Sequence, residues 1–467
     1  MKNLAATKII ATIGPSSWDK DVLKEMFRHG MQIARINASF ADLDEVTRVT
    51  KSLREISPRI GVMLDTKGTK IRVVDLKEAT EIKEKVSLSS FNCYVKDSIK
   101  ISYPDLHLQL TNNTKISLDD GNIELKVSQI KDSEIICDVI QSGILKPSKT
   151  VSIPSINLNF PTLTEKDKKD IQIAVDQDLD FVSISFVRNA NDLIKVKEII
   201  KDSNIKIIAK IENKEGVENF DEILEETDAV MIARGDLGVE TPLENVPILQ
   251  KQMIYKCRAK GKPVIVATQM LESMKDNIKP TRAEVSDVAN AVMDGTDALM
   301  LSVETSTGNN PIEAIKTMNK VALNTESVMQ LSPIYGTTIS QREVDEISRN
   351  VVQLSESIPL KGIAVFSDDR GTIASISRHR PTVPIWSISS NLKRVRQDSI
   401  FRSVKSFYIN GLSDDRDDSI SKAIQTIYTY GELDLTDKIA IITGSSIKNK
   451  NDDLILEIAT IKDALDH

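Results

Sequence analysis

Eight short runs rich in β-branched residues punctuate this chain, and each carries its polar residues near the C-terminal end. They are Lys8–Gly14, Met31–Asn37, Gly61–Lys67, Phe181–Phe186, an apolar run ending in Lys210-Ile211-Glu212, a second ending in Arg234-Gly235-Asp236, Pro263–Gln269 and Ala298–Glu304. Most are followed by an amphipathic stretch of helical length, such as Asn191–Lys201 and Pro242–Lys260. Buried parallel strands read as continuous apolar runs, and strand-helix alternation eight times over predicts a closed (β/α)8 TIM barrel. In that α/β fold the C-terminal strand ends form the functional face. Arg35, Asn37, Asp65, Thr66, Lys210, Glu212, Asp236, Thr268 and Glu304 are therefore expected to share one mouth.

Strand side chains alternate faces, so Lys210 and Glu212 point the same way, about 7 Å apart at ~3.3 Å per residue. An ammonium and a carboxylate on an apolar strand are costly to bury unless a ligand, a metal or each other joins them. A structural salt bridge accounts for one such strand. Repetition of the pattern around a barrel favours a site.

Between the third and fourth runs lies a long insert, 69–154, with alternating segments such as Lys115–Gly121 and Glu134–Ile140 split by Gly, Asn and Asp turn signals. It reads as a small antiparallel β domain, a β-barrel lid over the mouth. Past 330 the runs at Gly362, Pro384, Ser406 and Lys438 alternate with helical segments, predicting an open α/β domain with a mostly parallel sheet. The expected division is barrel 1–68, lid 69–154, barrel 155–330 and C-terminal domain 331–467. That last domain is expected to give support, oligomer contact or effector binding.

Net charge is −7 over 467 residues and no Lys/Arg block stands out, which argues against nucleic acid as a partner. Cys93, Cys137 and Cys257 lack CxxC spacing, which argues against disulfides or zinc and fits a reducing, cytoplasmic setting with the thiols as packing residues. No apolar run approaches the ~20 residues that span a bilayer, and the first strand begins within a few residues of the start, so neither membrane helix nor signal peptide is expected.

With no histidine or cysteine nearby, Glu212 and Asp236 suit an all-oxygen site for Mg²⁺ or Mn²⁺. Gly235 and Gly238 permit close backbone approach, and amides at a helix start favour an anion. Lys210, Arg35 and Arg72 add cationic donors. A metal, three basic groups and an amide nest are what stabilises a phosphoryl group in transfer. Thr268, Ser302 and Glu304, at the ends of the seventh and eighth runs, are placed to hold water and relay a proton. For Thr268 the competing reading is a side chain bonded to its own backbone.

These residues resemble pyruvate kinase over nearly the whole chain. The resemblance is carried by Lys8–Ser17, Ala34–Asn37, Leu64–Gly68, Ile208–Val217, Met231–Glu240, Val266–Met274, Pro280–Ala298 and Met300–Thr305. It implies phosphoryl transfer from phosphoenolpyruvate to ADP with Mg²⁺, the last step of glycolysis, in a homotetramer. By position, Arg35 would bind the substrate phosphate, Lys210 would stabilise the phosphoryl group, Glu212 and Asp236 would hold the metal, and amides at Gly235 and Asp236 would bind the substrate carboxylate. Thr268 would lie by the protonated face with Ser302 and Glu304 in its relay; Arg72 and Lys149 would contact nucleotide phosphates. The family's K⁺ site matches Asn37, Ser39, Asp65 and Thr66.

Departures from the family pattern carry their own expectations. Lys70 stands where K⁺-dependent members have Glu, implying that its ammonium replaces K⁺ and that K⁺ is not required. Phe40 and Val303 replace a His and a Gly of the family motifs, so nucleotide preference is open. The phosphate loops of the fructose-bisphosphate-regulated members become Ser367–Thr372, with two aspartates, and Gly444–Lys448, implying no activation by that effector. Competing readings are another Mg²⁺-dependent barrel enzyme acting on pyruvate enolate, and a catalytically silent paralogue. Retention of Arg35, Lys210, Glu212 and Asp236, with the inserted lid, favours phosphoryl transfer.

Overall fold

The structure, a computed structural model, describes residues 4–466 apart from 155, 157, 159, 330, 332–333, 335–341, 367–370, 414, 431–432 and 445–453. Among the described residues eight parallel strands close into a barrel in chain order: Lys8–Thr12, Met31–Asn37, Gly61–Asp65, Phe181–Ile184, Lys206–Ile211, Ala229–Ala233, Val264–Ala267 and Ala298–Leu301. Alternation sorts their side chains into two cores. Ile10, Ile33, Met63, Ile208, Met231 and Ile265 fill the interior, while Ile9, Ala11, Val62, Ile207 and Val266 pack outward against the helices. Both faces are therefore apolar.

The strands stop earlier than the apolar runs suggest. Arg234 to Glu240 form a helix from the first residue past the sixth strand, Val303–Ser306 turn helical after the eighth, and Thr268 and Gln269 adopt positive φ of 68° and 53°. Past the sixth, seventh and eighth strands the polar residues have left the hydrogen-bond ladder, and helix starts and turns set their side chains, whereas Arg35, Asn37, Asp65 and Lys210 remain in it.

The insert is a second closed barrel, seven strands among the described residues, running from Ile71–Val74 to Thr150–Ser152. Its pairing is antiparallel as expected except where Lys85–Ser90 and Ile99–Ile101 run parallel. Leu88, Ile101, Leu106, Leu118, Leu125 and Ile135 form its own core. Lys70 to Asp236 and Ser152 to Glu240 tie it to the main barrel.

The C-terminal domain is a five-stranded sheet among the described residues, with Val404–Tyr408, Ile385–Ser389, Leu360–Phe366 and Lys438–Gly444 parallel and Leu454–Thr460 antiparallel at one edge. Separate apolar clusters cover its two faces. It closes the opposite end of the main barrel, where Ile400 joins the interior core and Arg380 donates to both oxygens of Asp297 at 2.9 and 2.8 Å. The loop 367–370 and most of 444–448, which carry the expectation about fructose bisphosphate, lie outside the described residues.

Candidate active site

Lys210 is the last residue but one of the fifth strand, with its ammonium in the barrel mouth, buried at 7 % exposure. It lies 3.1 Å from Asp65 Oδ1, 3.1 Å from Glu212 Oε1 and 2.8 Å from Ser185 Oγ. The predicted same-face relation of Lys210 and Glu212 holds, and the salt bridge between them exists. It belongs to a larger cage. Burial works to lower the Lys210 pKa, but Asp65 and Glu212 outweigh it and raise the pKa, so the ammonium stays charged.

Asp65, at the end of the third strand, is the hub. Its Oδ2 accepts from Arg35 Nε at 2.8 Å and from the terminal Nη2, and its Oδ1 accepts from Ser183 Oγ at 2.8 Å. Burial pushes its carboxyl up, yet Arg35 and Lys210 prevail and hold it below the usual carboxylate range. Arg35 also donates to Thr12 Oγ1 at 2.8 Å. Arg35 is thus buried and oriented on the mouth.

Glu212 is 1 % exposed, and its Oε2 accepts from the amide of Phe186 at 2.8 Å. Burial raises its pKa, Lys210 opposes that, and the nearby negative charge of Asp236 adds to it. Asp236, in the first turn of the helix Arg234–Glu240, pairs with Lys70. Two neighbouring carboxylates with only oxygen donors fit a hard divalent cation. Glu212 and Asp236 would hold it.

Lys70 pairs with Asp236 of that acidic pair, and among the described residues no ion pair or hydrogen bond joins its side chain to Asn37, Ser39, Asp65 or Thr66. Among the described residues, Asn37 Oδ1 accepts from the Ser39 amide at 3.0 Å, Thr66 Oγ1 from the Ser185 amide at 3.1 Å, and Asp65 is occupied by Arg35, Lys210 and Ser183. The Lys70 ammonium also sits 5.1 Å from the centre of the Phe186 ring. A cleft of about 130 Å³ between insert and barrel opens beside it, bordered by Ser152, Ser185, Phe186, Asp236 and Glu240.

Thr268 is bonded to backbone groups, as in the competing reading of its sequence. Its Oγ1 donates to its own neighbour's carbonyl, Ala267 O, at 2.6 Å and accepts from the Gly235 amide at 2.8 Å. The Gly235 amide is therefore already bonded. Positive φ at a β-branched residue is strained, and Arg234 holds it there by donating to the carbonyls of Thr268 and Gln269 at 2.9 and 3.0 Å. Glu304 accepts from the amides of Ser302 at 2.7 Å and Leu271 at 3.2 Å, and burial raises its pKa. The Ser302 hydroxyl is buried without a partner. Among the described residues no hydrogen bond joins Thr268 directly to Ser302 or Glu304.

Arg72 and Lys149 stay within the insert, where Arg72 donates to Ser148 O at 2.9 Å and Lys149 pairs with Asp119. Sequence reasoning missed Ser183, Ser185 and Thr12, which complete the cage. Two serines at i, i+2 in an otherwise apolar strand were the available signal. Of the cysteines, Cys137 and Cys257 are buried as expected, whereas Cys93 is half-exposed.

Comparison with known proteins agrees with this architecture. The family model "Pyruvate kinase, barrel domain" matches residues 4–315, and "Pyruvate kinase, alpha/beta domain" matches 345–456. The chain is 38 % identical to the pyruvate kinase of Geobacillus stearothermophilus over 98 % of this chain and 81 % of that protein. It is 37 % identical to the pyruvate kinase of Clostridium perfringens over 94 % of this chain and 96 % of that protein.

Proposed function

Because the chain belongs to the pyruvate kinase family and is a phosphotransferase, we propose that it transfers the phosphoryl group of phosphoenolpyruvate to ADP, yielding pyruvate and ATP. The observation that carries this is the caged Lys210 ammonium, buried and charged between Asp65 and Glu212 with Arg35 beside it. A fixed, buried cation in the barrel mouth stabilises the charge of a phosphoryl group in flight with little reorganisation of solvent.

Arg35 binds the substrate phosphate, and its bond to Asp65 fixes its direction. Glu212 and Asp236 would hold Mg²⁺ or Mn²⁺, which would supply neutralisation of the charge that develops in transfer. The first turn at Gly235 and Asp236 receives the substrate carboxylate, Thr268 releasing the Gly235 amide as the ligand arrives. Thr268 then stands at the face where enolpyruvate takes its proton, and the unpartnered Ser302 hydroxyl with Glu304 holds the water that delivers it. Arg72 and Lys149 turn to the nucleotide phosphates, which requires each to leave its present partner in the insert.

The finer reading is activity without K⁺, no activation by fructose 1,6-bisphosphate, a homotetrameric assembly and a cytoplasmic location. An ammonium at Lys70 beside the acidic pair supports the first. Among the described residues no helix is long and apolar enough to cross a membrane, consistent with the last. A coupled assay of pyruvate formed from phosphoenolpyruvate and ADP tests the whole: no product above background sinks the reaction. A large fall in rate when tetramethylammonium replaces K⁺ refutes K⁺ independence. A several-fold drop in half-saturating phosphoenolpyruvate on adding fructose 1,6-bisphosphate refutes the regulatory reading.

A further inference from the structure

The insert holds a second group of metal-competent side chains, far in chemistry from the acidic pair of the mouth. Cys93, in the turn after Lys85–Ser90, meets Asp105 and His107, which flank the buried Leu106 at the start of a short turn of 3₁₀ helix. One ligand atom from each lies within 4.8 Å of the others. His107 Nδ1 is buried and has no hydrogen-bond partner. A buried imidazole nitrogen left unpaired carries a desolvation cost that a ligand would remove.

Asn92 links two of the three. Its Nδ2 donates to Asp105 Oδ1 at 3.2 Å, and its Oδ1 faces the Cys93 sulfur at 3.7 Å. This orients one carboxylate oxygen and leaves the other available. The Lys100 ammonium, bonded to the Cys93 carbonyl and Ser89 Oγ, holds the turn in place from the other side. Outer contacts of this kind set the direction of metal ligands.

We propose that Cys93, Asp105 and His107 form a binding site for a borderline-soft divalent cation of the zinc class, with water in the fourth position. A thiolate, an imidazole and a carboxylate are the zinc donor set, and thiolate excludes Mg²⁺ as the preferred occupant. Tetrahedral zinc places its donors about 3.3 to 3.8 Å apart. The three groups therefore close by about an ångström on the metal, which the exposed Asp105 and the half-exposed Cys93 and His107 can do by rotation. Binding releases the thiol proton to solvent and pins the turn at Cys93 to the segment at Asp105. The site acts on the insert, and its existence does not depend on the reaction proposed for the mouth.

The test is titration of the full-length, chelator-stripped protein with Zn²⁺ or Co²⁺ in excess Mg²⁺, which keeps the all-oxygen site filled. One equivalent of Co²⁺ per chain is expected, with a thiolate-to-cobalt charge-transfer band. Cys93→Ser should abolish the band, and His107→Gln should weaken binding by roughly tenfold or more, while both variants keep the wild-type circular dichroism spectrum. Absence of a stoichiometric equivalent in the wild type would overturn the proposal. So would a band that survives Cys93→Ser or disappears in Asp236→Asn, since either places the metal elsewhere.

Discussion

Lys70, the last residue before the first strand of the insert, forms an ion pair with Asp236 in the first turn after the sixth barrel strand. Each side chain is only about a quarter exposed, 28 % and 27 %. One contact thus joins the insert to the residue expected to hold the divalent metal, and it places a fixed positive charge where Asp236 and Glu212 concentrate negative charge.

Removing that charge should expose a need for a replacement. Lys70→Met is expected to lose about tenfold in kcat, or ~1.4 kcal/mol, when tetramethylammonium is the monovalent cation, and to regain most of it in K⁺. The wild type should change by less than about twofold between the same buffers. Steady-state rates at constant ionic strength decide the matter. Equal responses of the two proteins to K⁺ would remove Lys70 from the cation requirement.

Lys210 presents a different case because its loss affects both rate and stability. Lys210→Met leaves Asp65 and Glu212 buried without their shared cation, and breaking a buried pair costs about 3–5 kcal/mol. Its kcat should fall by roughly 10²–10³, the order seen when a preorganised charge is removed from a transition state. Circular dichroism and thermal unfolding report the first effect, and single-turnover phosphoryl transfer the second. A folded variant with full activity would sink the mechanism.

The barrel was legible because burial on both faces forces a continuous apolar run, and eight such runs leave few other topologies. The insert was legible from its turn residues. Less visible was where the strands end: Thr268, Arg234 and Glu304 follow apolar runs, but helix starts and positive φ redirect them. Spacing in a run predicts a face only while the ladder continues. The partner of Lys70 was equally hidden, since its nearest acidic group is 166 positions away in the chain. The grouping of Cys93 with Asp105 and His107 was hidden as well, since it arises only through the fold of the insert.

Thr268 offers a test that separates proton transfer from phosphoryl transfer. Thr268→Ala removes the hydroxyl that now caps the Gly235 amide, and general acid-base groups contribute about 10²–10⁴-fold. Deuterium incorporation at the methyl group of pyruvate, followed by NMR, is expected to slow at least about tenfold more than phosphoryl transfer. Thr268→Ser keeps the oxygen and should restore most of the exchange. Equal losses in both steps would show that Thr268 only shapes the loop.

At the far end of the barrel, Lys8 is buried and donates to the Val404 carbonyl of the C-terminal domain. Burial lowers its pKa from 10.5 to about 7, with Glu326 partly opposing. Below pH 7 the group is protonated in both native and unfolded chains, so its contribution does not change with pH. Between about 7 and 10.5 the unfolded chain binds the proton and the native one does not, so stability rises with pH through that window. The slope from this group approaches 1.4 kcal/mol per pH unit at most. Lys8→Met should remove the gain: from pH 7 to pH 9 the wild type is expected to gain about 2 kcal/mol relative to the variant. Urea midpoints of both proteins at the two pH values measure it. Parallel behaviour would mean that Lys8 keeps its proton in the native protein, its ammonium sufficiently paired by Glu326 and the Val404 carbonyl.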